Sequence, residues 1–252
     1  MNMRYFPPPL TLEPSSALLC RDGSLRHHAI CAHCCASGQE ALAAVKTHKT
    51  FEARAQILSM GERVLFLGTI VAGVVTVSQP LLDGRRQIVG LLFPGDLVGR
   101  PFSTASMFDY EAATTVRLCT LPRAKFEATI RDTPALDRRL LDKALEDLDL
   151  ARAWMFVLGR SSAEERLCAL LVLLARRALT SVGRRPVDGM LLVLPLSRND
   201  VADIIGLRHE TVSRAFNVLR KNGLVELLEA RHVRIPDWQA LVSATGGFLE
   251  LA

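Results

Sequence analysis

No apolar run in these 252 residues approaches the ~18 needed to cross a bilayer as a helix. Between Met1 and Leu19 a Pro7-Pro8-Pro9 run stands where a secretory leader needs unbroken apolar sequence. The expected compartment is the cytoplasm, with no membrane partner. Also missing are the constellations that perform covalent chemistry. There is no Ser/His/Asp arrangement, no pair of carboxylates at a spacing suited to acid–base work, and no glycine loop shaped to cradle phosphate. His27 and His28 sit side by side in a polar stretch and read as exposed rather than catalytic. The chain is not expected to be an enzyme.

What is present is a basic, core-forming chain. Nearly half its residues are hydrophobic, the net charge is +5 and the pI is about 9.1. That balance suits a nucleic-acid partner. Six cysteines in a cytosolic chain of this size point to metal or redox chemistry before disulfides. Residues 1–16 are rich in proline and serine. Residues 20–38 hold four of the cysteines with little apolar periodicity, too polar to pack a core without an anchor such as a metal. Residues 1–38 thus read as a flexible, Cys-rich N-terminal segment.

Residues 39–132 change character. Short apolar runs such as Val64-Leu65-Phe66-Leu67, Val74-Val75-Thr76-Val77 and Ile88-Val89-Gly90-Leu91-Leu92-Phe93 are punctuated by glycine, and Asp83-Gly84 separates two of them as a hairpin turn. This is the pattern of an antiparallel barrel or roll. Residues 133–160 turn helical. Leu141, Ala144, Leu148, Ala151, Met155 and Leu158 alternate at spacings of three and four, forming a narrow seam on a charged helix. Such a seam predicts a homodimer interface. A further helix is expected from Ala163 to Ala178, with Ser162 and Glu165 as its capping box. Cys168, inside an apolar helical run, reads as a buried core thiol.

Within residues 161–252, Leu196 to Phe216 spells a helix-turn-helix. Ser197 and Asp200 cap a first short helix whose apolar face is Val201, Ala202 and Ile205. Gly206 permits the turn. Val212, Ala215, Phe216 and Leu219 form the inner face of a second helix, stopped by Asn222-Gly223. Its outer face carries Arg208, His209, Glu210, Thr211, Ser213 and Arg214. Glu210, Ser213 and Arg214 lie at i, i+3 and i+4, so they project together. Arginine suits guanine, a carboxylate suits the cytosine amino group, and serine serves several bases or a phosphate. Because phosphates repel a carboxylate, Glu210 argues for base reading. Leu224–Leu228 and His232–Ile235 complete the picture as the strands of a wing. The expected partner is double-stranded DNA.

At this point the sequence resembles the Crp/Fnr family of bacterial transcription regulators, over nearly its whole length. Glu210-Thr211-Val212-Ser213-Arg214 matches the E-x-x-S-R recognition helix of the Fnr branch. Ala163-Glu164-Glu165-Arg166-Leu167 matches the stretch after its dimer helix, and Pro94-Gly95-Asp96-Leu97-Val98-Gly99 matches a turn of its β-roll. The resemblance implies an α+β chain: a cyclic-nucleotide-binding-like antiparallel β-roll, a long dimerisation helix and a C-terminal winged helix-turn-helix. It also implies a palindromic site, TTGAT with its inverted repeat, and RNA polymerase as a partner. Cyclic-AMP-binding members place an Arg-Ser pair against the phosphate. Tyr110-Glu111 stands there in this sequence, a carboxylate that would repel the ligand, so no cyclic nucleotide is expected.

In the Fnr branch three N-terminal cysteines and one distal cysteine hold an oxygen-labile [4Fe-4S] cluster. By that resemblance Cys20, Cys31 and Cys119 match as ligands. The branch pattern has a further cysteine where this chain has Gly23. Cys34 is the expected replacement, since Cys31-Ala32-His33-Cys34 is a chelating pair; Cys35 is the other candidate. Oxidation would release the tie and weaken pairing and DNA affinity. Two alternatives stand beside this reading. One is zinc held by the same cysteines with His27, His28 or His33. The other is a cluster-free regulator whose DNA binding is constitutive or thiol-dependent.

Overall fold

The computed structural model describes residues 42–180 and 183–246. Contacts divide the chain into two compact units, parting between Asp149 and Leu150. In the first unit a helical turn at 42–45 leads into eight strands: β1 (Thr47–Phe51), β2 (Gln56–Leu58), β3 (Phe66–Ala72), β4 (Val75–Pro80), β5 (Arg86–Leu92), β6 (Leu97–Val98), β7 (Asp109–Ala112) and β8 (Val116–Pro122). Helix α1 (Arg123–Asp132) follows, then α2 (Pro134–Arg160), which runs across the division.

The strands form two antiparallel four-stranded sheets, ordered β1-β8-β3-β6 and β2-β7-β4-β5. Ile70, Val98, Val116 and Leu118 of one sheet meet Ile57, Val75 and Ala112 of the other in a buried cluster. Gly73 turns the chain between β3 and β4 with φ +88°. A Cβ there would lie 2.3 Å from the Thr115 carbonyl oxygen, so only glycine fits. Asp83-Gly84 forms the β4–β5 turn, as expected from the sequence.

A second cluster covers the outer face of the first sheet. Leu67 and Leu121, paired across β3 and β8, pack with Phe126 and Ile130 of α1 and Leu136 of α2. Helix α1 was not foreseen. Its mean hydropathy is low and only Phe126 and Ile130 are buried, so its apolar stripe is too thin to read in sequence.

The second unit contains α3 (Ala163–Thr180), β9 (Met190–Val193), α4 (Arg198–Ile205), α5 (His209–Lys221), β10 (Glu226–Leu227), β11 (His232–Ile235) and α6 (Trp238–Ser243). Ten residues of α3 are buried, Cys168 among them. The wing is a three-stranded antiparallel sheet, β10-β11-β9. Its β9 strand precedes the helix-turn-helix by several residues, so a wing read only downstream of the second helix misses it. The first wing strand is also shorter than Leu224–Leu228, covering Glu226–Leu227 alone. The architecture is α+β, a β-roll followed by helices and a winged helix-turn-helix. Among the described residues no helix is long and apolar enough to cross a membrane.

Candidate nucleic-acid interface

Local chemistry sets up the helix pair. The Asp200 backbone N–H donates to Ser197 Oγ at 3.2 Å, and the Ser197 N–H returns a 2.8 Å bond to Asp200 Oδ2, a complete capping box. Asp200 is buried, and this reciprocal pairing satisfies its carboxylate oxygen Oδ2 there. Helix α4 ends at Gly206, which holds φ 66° and ψ 39°, the left-handed region that a turn between two packed helices requires. Val212, Ala215, Phe216 and Leu219 bury the inner face of α5.

The outer face is as the spacing anticipates. Arg208, His209, Glu210 and Arg214 are exposed, and Thr211 and Ser213 are half-buried. Arg208 is the N-cap residue in extended conformation, one position before the helix rather than on it. The side chains of Glu210, Ser213 and Arg214 make no hydrogen bond or ion pair with other described residues. Their polar atoms therefore project unspent from one side of a 13-residue helix, beside the basic Arg220 and Lys221 of its last turn.

Two arginines that sequence reasoning passed over hold this helix pair. Arg166 of α3 donates through Nη1 to the Ile205 carbonyl (3.1 Å) and through Nε to the Ser161 carbonyl (3.0 Å), occupying the C-terminal end of α4. Arg198, the first residue of α4, lays its guanidinium 3.4 Å from the centroid of the Phe216 ring. Its Nη1 is buried without a partner, and burial lowers its pKa. The sequence signal for Arg198 was only its place after the N-cap. Its stacking partner is 18 positions away on the other helix, beyond any local pattern.

The α2 seam is largely bare. Leu141, Leu148 and Met155 are exposed, as are Ala144 and Ala151, while Leu158 is half-buried. Leu145 and Phe156, outside the expected seam, are exposed as well. A straight helix drifts about 20° per heptad against a strict seam, which widens the stripe to include them.

In the roll, register decides what two singled-out positions face. Leu118 and Val116 point into the inter-sheet cluster, so Arg117 and Cys119 point to the outer face. Cys119 is 4% exposed and packs with Val71; His48 and Thr69 flank it in register. Arg117, two residues away on the same face, has a buried Nε with no partner. The other expected ligands, Cys20, Cys31 and Cys34, and the spare Cys35, lie outside the described residues. Among the described residues no three His, Cys, Asp or Glu side chains gather as a metal site.

The charge argument at Tyr110-Glu111 needs revision. Tyr110 packs against both apolar clusters, and burial raises its pKa. Glu111, next in the alternation, faces away from it and accepts from Arg54 Nη1 (3.0 Å) and Arg86 Nη1 (2.9 Å). Its charge is matched within the protein, so repulsion is not what it offers. The residue that faces inward at this place is the Tyr110 phenol, packed among apolar side chains.

Comparison with known proteins agrees with this geometry. Residues 48–133 match the cyclic nucleotide-binding domain, and residues 165–244 match the Crp-like helix-turn-helix domain. The chain is 37% identical over 227 residues to the transcriptional activator protein FnrL of Cereibacter sphaeroides, covering 90% of this chain and 92% of the relative. It is 32% identical to the nitrogen fixation regulation protein FixK of Bradyrhizobium diazoefficiens, covering 88% and 92%. The solved structure of FixK2 from Bradyrhizobium japonicum superposes with a TM-score of 0.71 at 29% identity, over 79% of this chain and 97% of that one. With roll, capped helix pair and wing all in place, the chain belongs to the Crp/Fnr family of DNA-binding transcription regulators, which are not enzymes.

Proposed function

We propose that two copies of this chain pair through α2, read a palindromic duplex with their α5 helices, and do so under the control of oxygen through a [4Fe-4S] cluster. The observation that carries the DNA reading is the outward triad Glu210, Ser213 and Arg214, whose polar atoms have no partner among the described residues. Arg214 would donate to guanine, Glu210 would accept from a cytosine or adenine amino group, and Ser213 would meet thymine or phosphate. Arg208, His209 and Thr211 complete the contact surface. Two such helices in successive major grooves on one face of the duplex suit TTGAT and its inverted repeat. The bare Leu141–Leu158 seam supports the homodimer, with the DNA-bound pair then engaging RNA polymerase.

Cys20, Cys31, Cys34 and Cys119 would supply one thiolate to each iron. Two features of β8 favour such a group. Cys119 lies on the outer face of the first sheet, the face that carries α1, and not in the inter-sheet cluster. Arg117 on that face holds a buried, unpartnered Nε–H, which suits a group made net negative by four thiolates. When bound, the cluster supplies an oxygen-labile centre. The chain's own part is to tie residues 20–34 to the sheet on which α2 begins. The roll is read as taking no cyclic nucleotide, because Tyr110 fills the place of the phosphate-binding arginine.

Gly23 favours a second reading, a cluster-free regulator whose DNA binding is constitutive or set by thiols or zinc. Strictly anaerobic purification separates the two. The cluster reading expects a brown protein whose iron and sulfide are lost in Cys119→Ser, and which loses affinity for the TTGAT palindrome on exposure to air. A colourless, iron-free protein that binds equally in both atmospheres would leave only the second.

A further inference from the structure

The seam on α2 can meet a second chain only if the helix is held at the right rotation about its own axis. One buried ion pair is placed to do this. Lys143 Nζ lies 3.1 Å from Asp96 Oδ1 and 2.9 Å from Asp147 Oδ1 on the next turn. Both Lys143 and Asp96 are largely withdrawn from water, with side chains 18% and 8% exposed, whereas Asp147 is open.

Asp96 is itself rigidly held. Its Oδ2 accepts the Phe93 N–H at 2.9 Å, closing the Phe93-Pro94-Gly95-Asp96 turn. That turn is clamped to β3 by two backbone bonds, Ile70 N–H to the Asp96 carbonyl (3.0 Å) and Gly95 N–H to the Ile70 carbonyl (2.9 Å). Ile70 follows Thr69, the register partner of Cys119. A set of short bonds therefore runs from Ile70, next to the register partner of Cys119, through the turn, to one lysine on α2.

At roughly 100° per residue, Leu136, Leu140 and Asp147 fall within roughly 60° of Lys143 around the helix. Leu136 is buried and Leu140 half-buried against the roll, so this is the side that faces the sheet. Leu141, Leu145 and Leu148 fall roughly 140–160° away, on the opposite side. Apolar packing of Leu136 and Leu140 holds the helix to the roll but has no directional preference of the kind a charge pair has. A desolvated carboxylate does not tolerate losing its cation.

We infer that Lys143, through Asp96, sets the rotation of α2 and so determines which face of the helix a second chain meets. Lys143 is a positioning residue: it touches neither DNA nor the partner. The inference rests on the reading of α2 as the pairing helix, and the experiment keeps the two apart. Sedimentation equilibrium and duplex binding are measured for the full-length protein and its variants. Lys143→Met should weaken dimerisation about ten-fold or more and weaken palindrome binding with it, while far-UV circular dichroism is unchanged. Lys143→Arg, which can reach both carboxylates, should restore most of the loss. Asp96→Asn keeps an acceptor for Phe93 N–H but removes the charge, and should match Lys143→Met. The double variant should be no worse than either alone, because the two act as one unit. If Lys143→Met and Asp96→Asn pair and bind as the wild type does, the positioning role is wrong. If the wild type does not pair at all, or Leu148→Asp pairs as well as it does, the pairing helix itself is wrong.

Discussion

At the scale of single residues, the firmest expectation concerns Arg214. Its guanidinium is exposed, four positions after Glu210, and bonded to no other described residue. Arg214→Ala should cost about 1–3 kcal/mol per half-site and relax base choice at one position of the palindrome. Selection of bound sequences from a random duplex pool measures it, and an unchanged consensus would refute the assignment. This triad was readable in the sequence, because i, i+3 and i+4 spacing on an amphipathic helix is a local property. Arg198 and Arg166 were not. Each acts on a group in another helix, Phe216 in one case and the Ile205 carbonyl in the other. Linear sequence does not announce such meetings. The side-chain directions of Cys119 and Glu111 also needed the strand register, since a shift of one residue exchanges the two faces.

At the scale of elements, the helix-turn-helix depends on its start. Ser197 Oγ both accepts the Asp200 N–H and donates to Asp200 Oδ2 at 2.6 Å, so alanine there removes one bond to the helix and one to a buried carboxylate. Ser197→Ala should cost about 1–2 kcal/mol, a drop of several degrees in the thermal midpoint. Equal midpoints would mean the cap is dispensable. Caps, glycine turns and the Asp83-Gly84 hairpin were all legible, since each is built from residues within four positions of one another. Helix α1 and strand β9 escaped. The first has only two buried apolar residues, and the second pairs with β11 across some forty residues of intervening chain. The apolar period of α2 was legible, while the exposed Leu145 and Phe156 fell outside the seam it drew.

At the scale of the whole molecule, stability should respond to alkaline pH through a residue remote from any binding surface. Burial pushes the Cys168 thiol up to about 12, with the nearby Glu164 and Glu165 charges adding to the shift. An unfolded chain releases that proton near the ordinary thiol value of ~8.5. The folded state holds the proton more tightly, so its contribution is complete below about pH 8.5 and is lost as pH rises toward 12. Urea midpoints between pH 7.5 and 10.5 should therefore fall more steeply for the wild type than for Cys168→Ala, and parallel curves would show that the thiol releases its proton equally readily in the folded and unfolded states.

The carboxylate of Glu111 has a mechanical consequence. Its two arginines come from opposite sides of its own strand: Arg54 just before β2, and Arg86 on β5, beyond the intervening β4. One side chain thus laces the sheet from margin to margin, and any shear between strands must break a charged bond as well as the backbone ladder. On the oxygen control proposed above, the signal is expected to travel by the other sheet and the helices laid on it, which this lacing does not bridge.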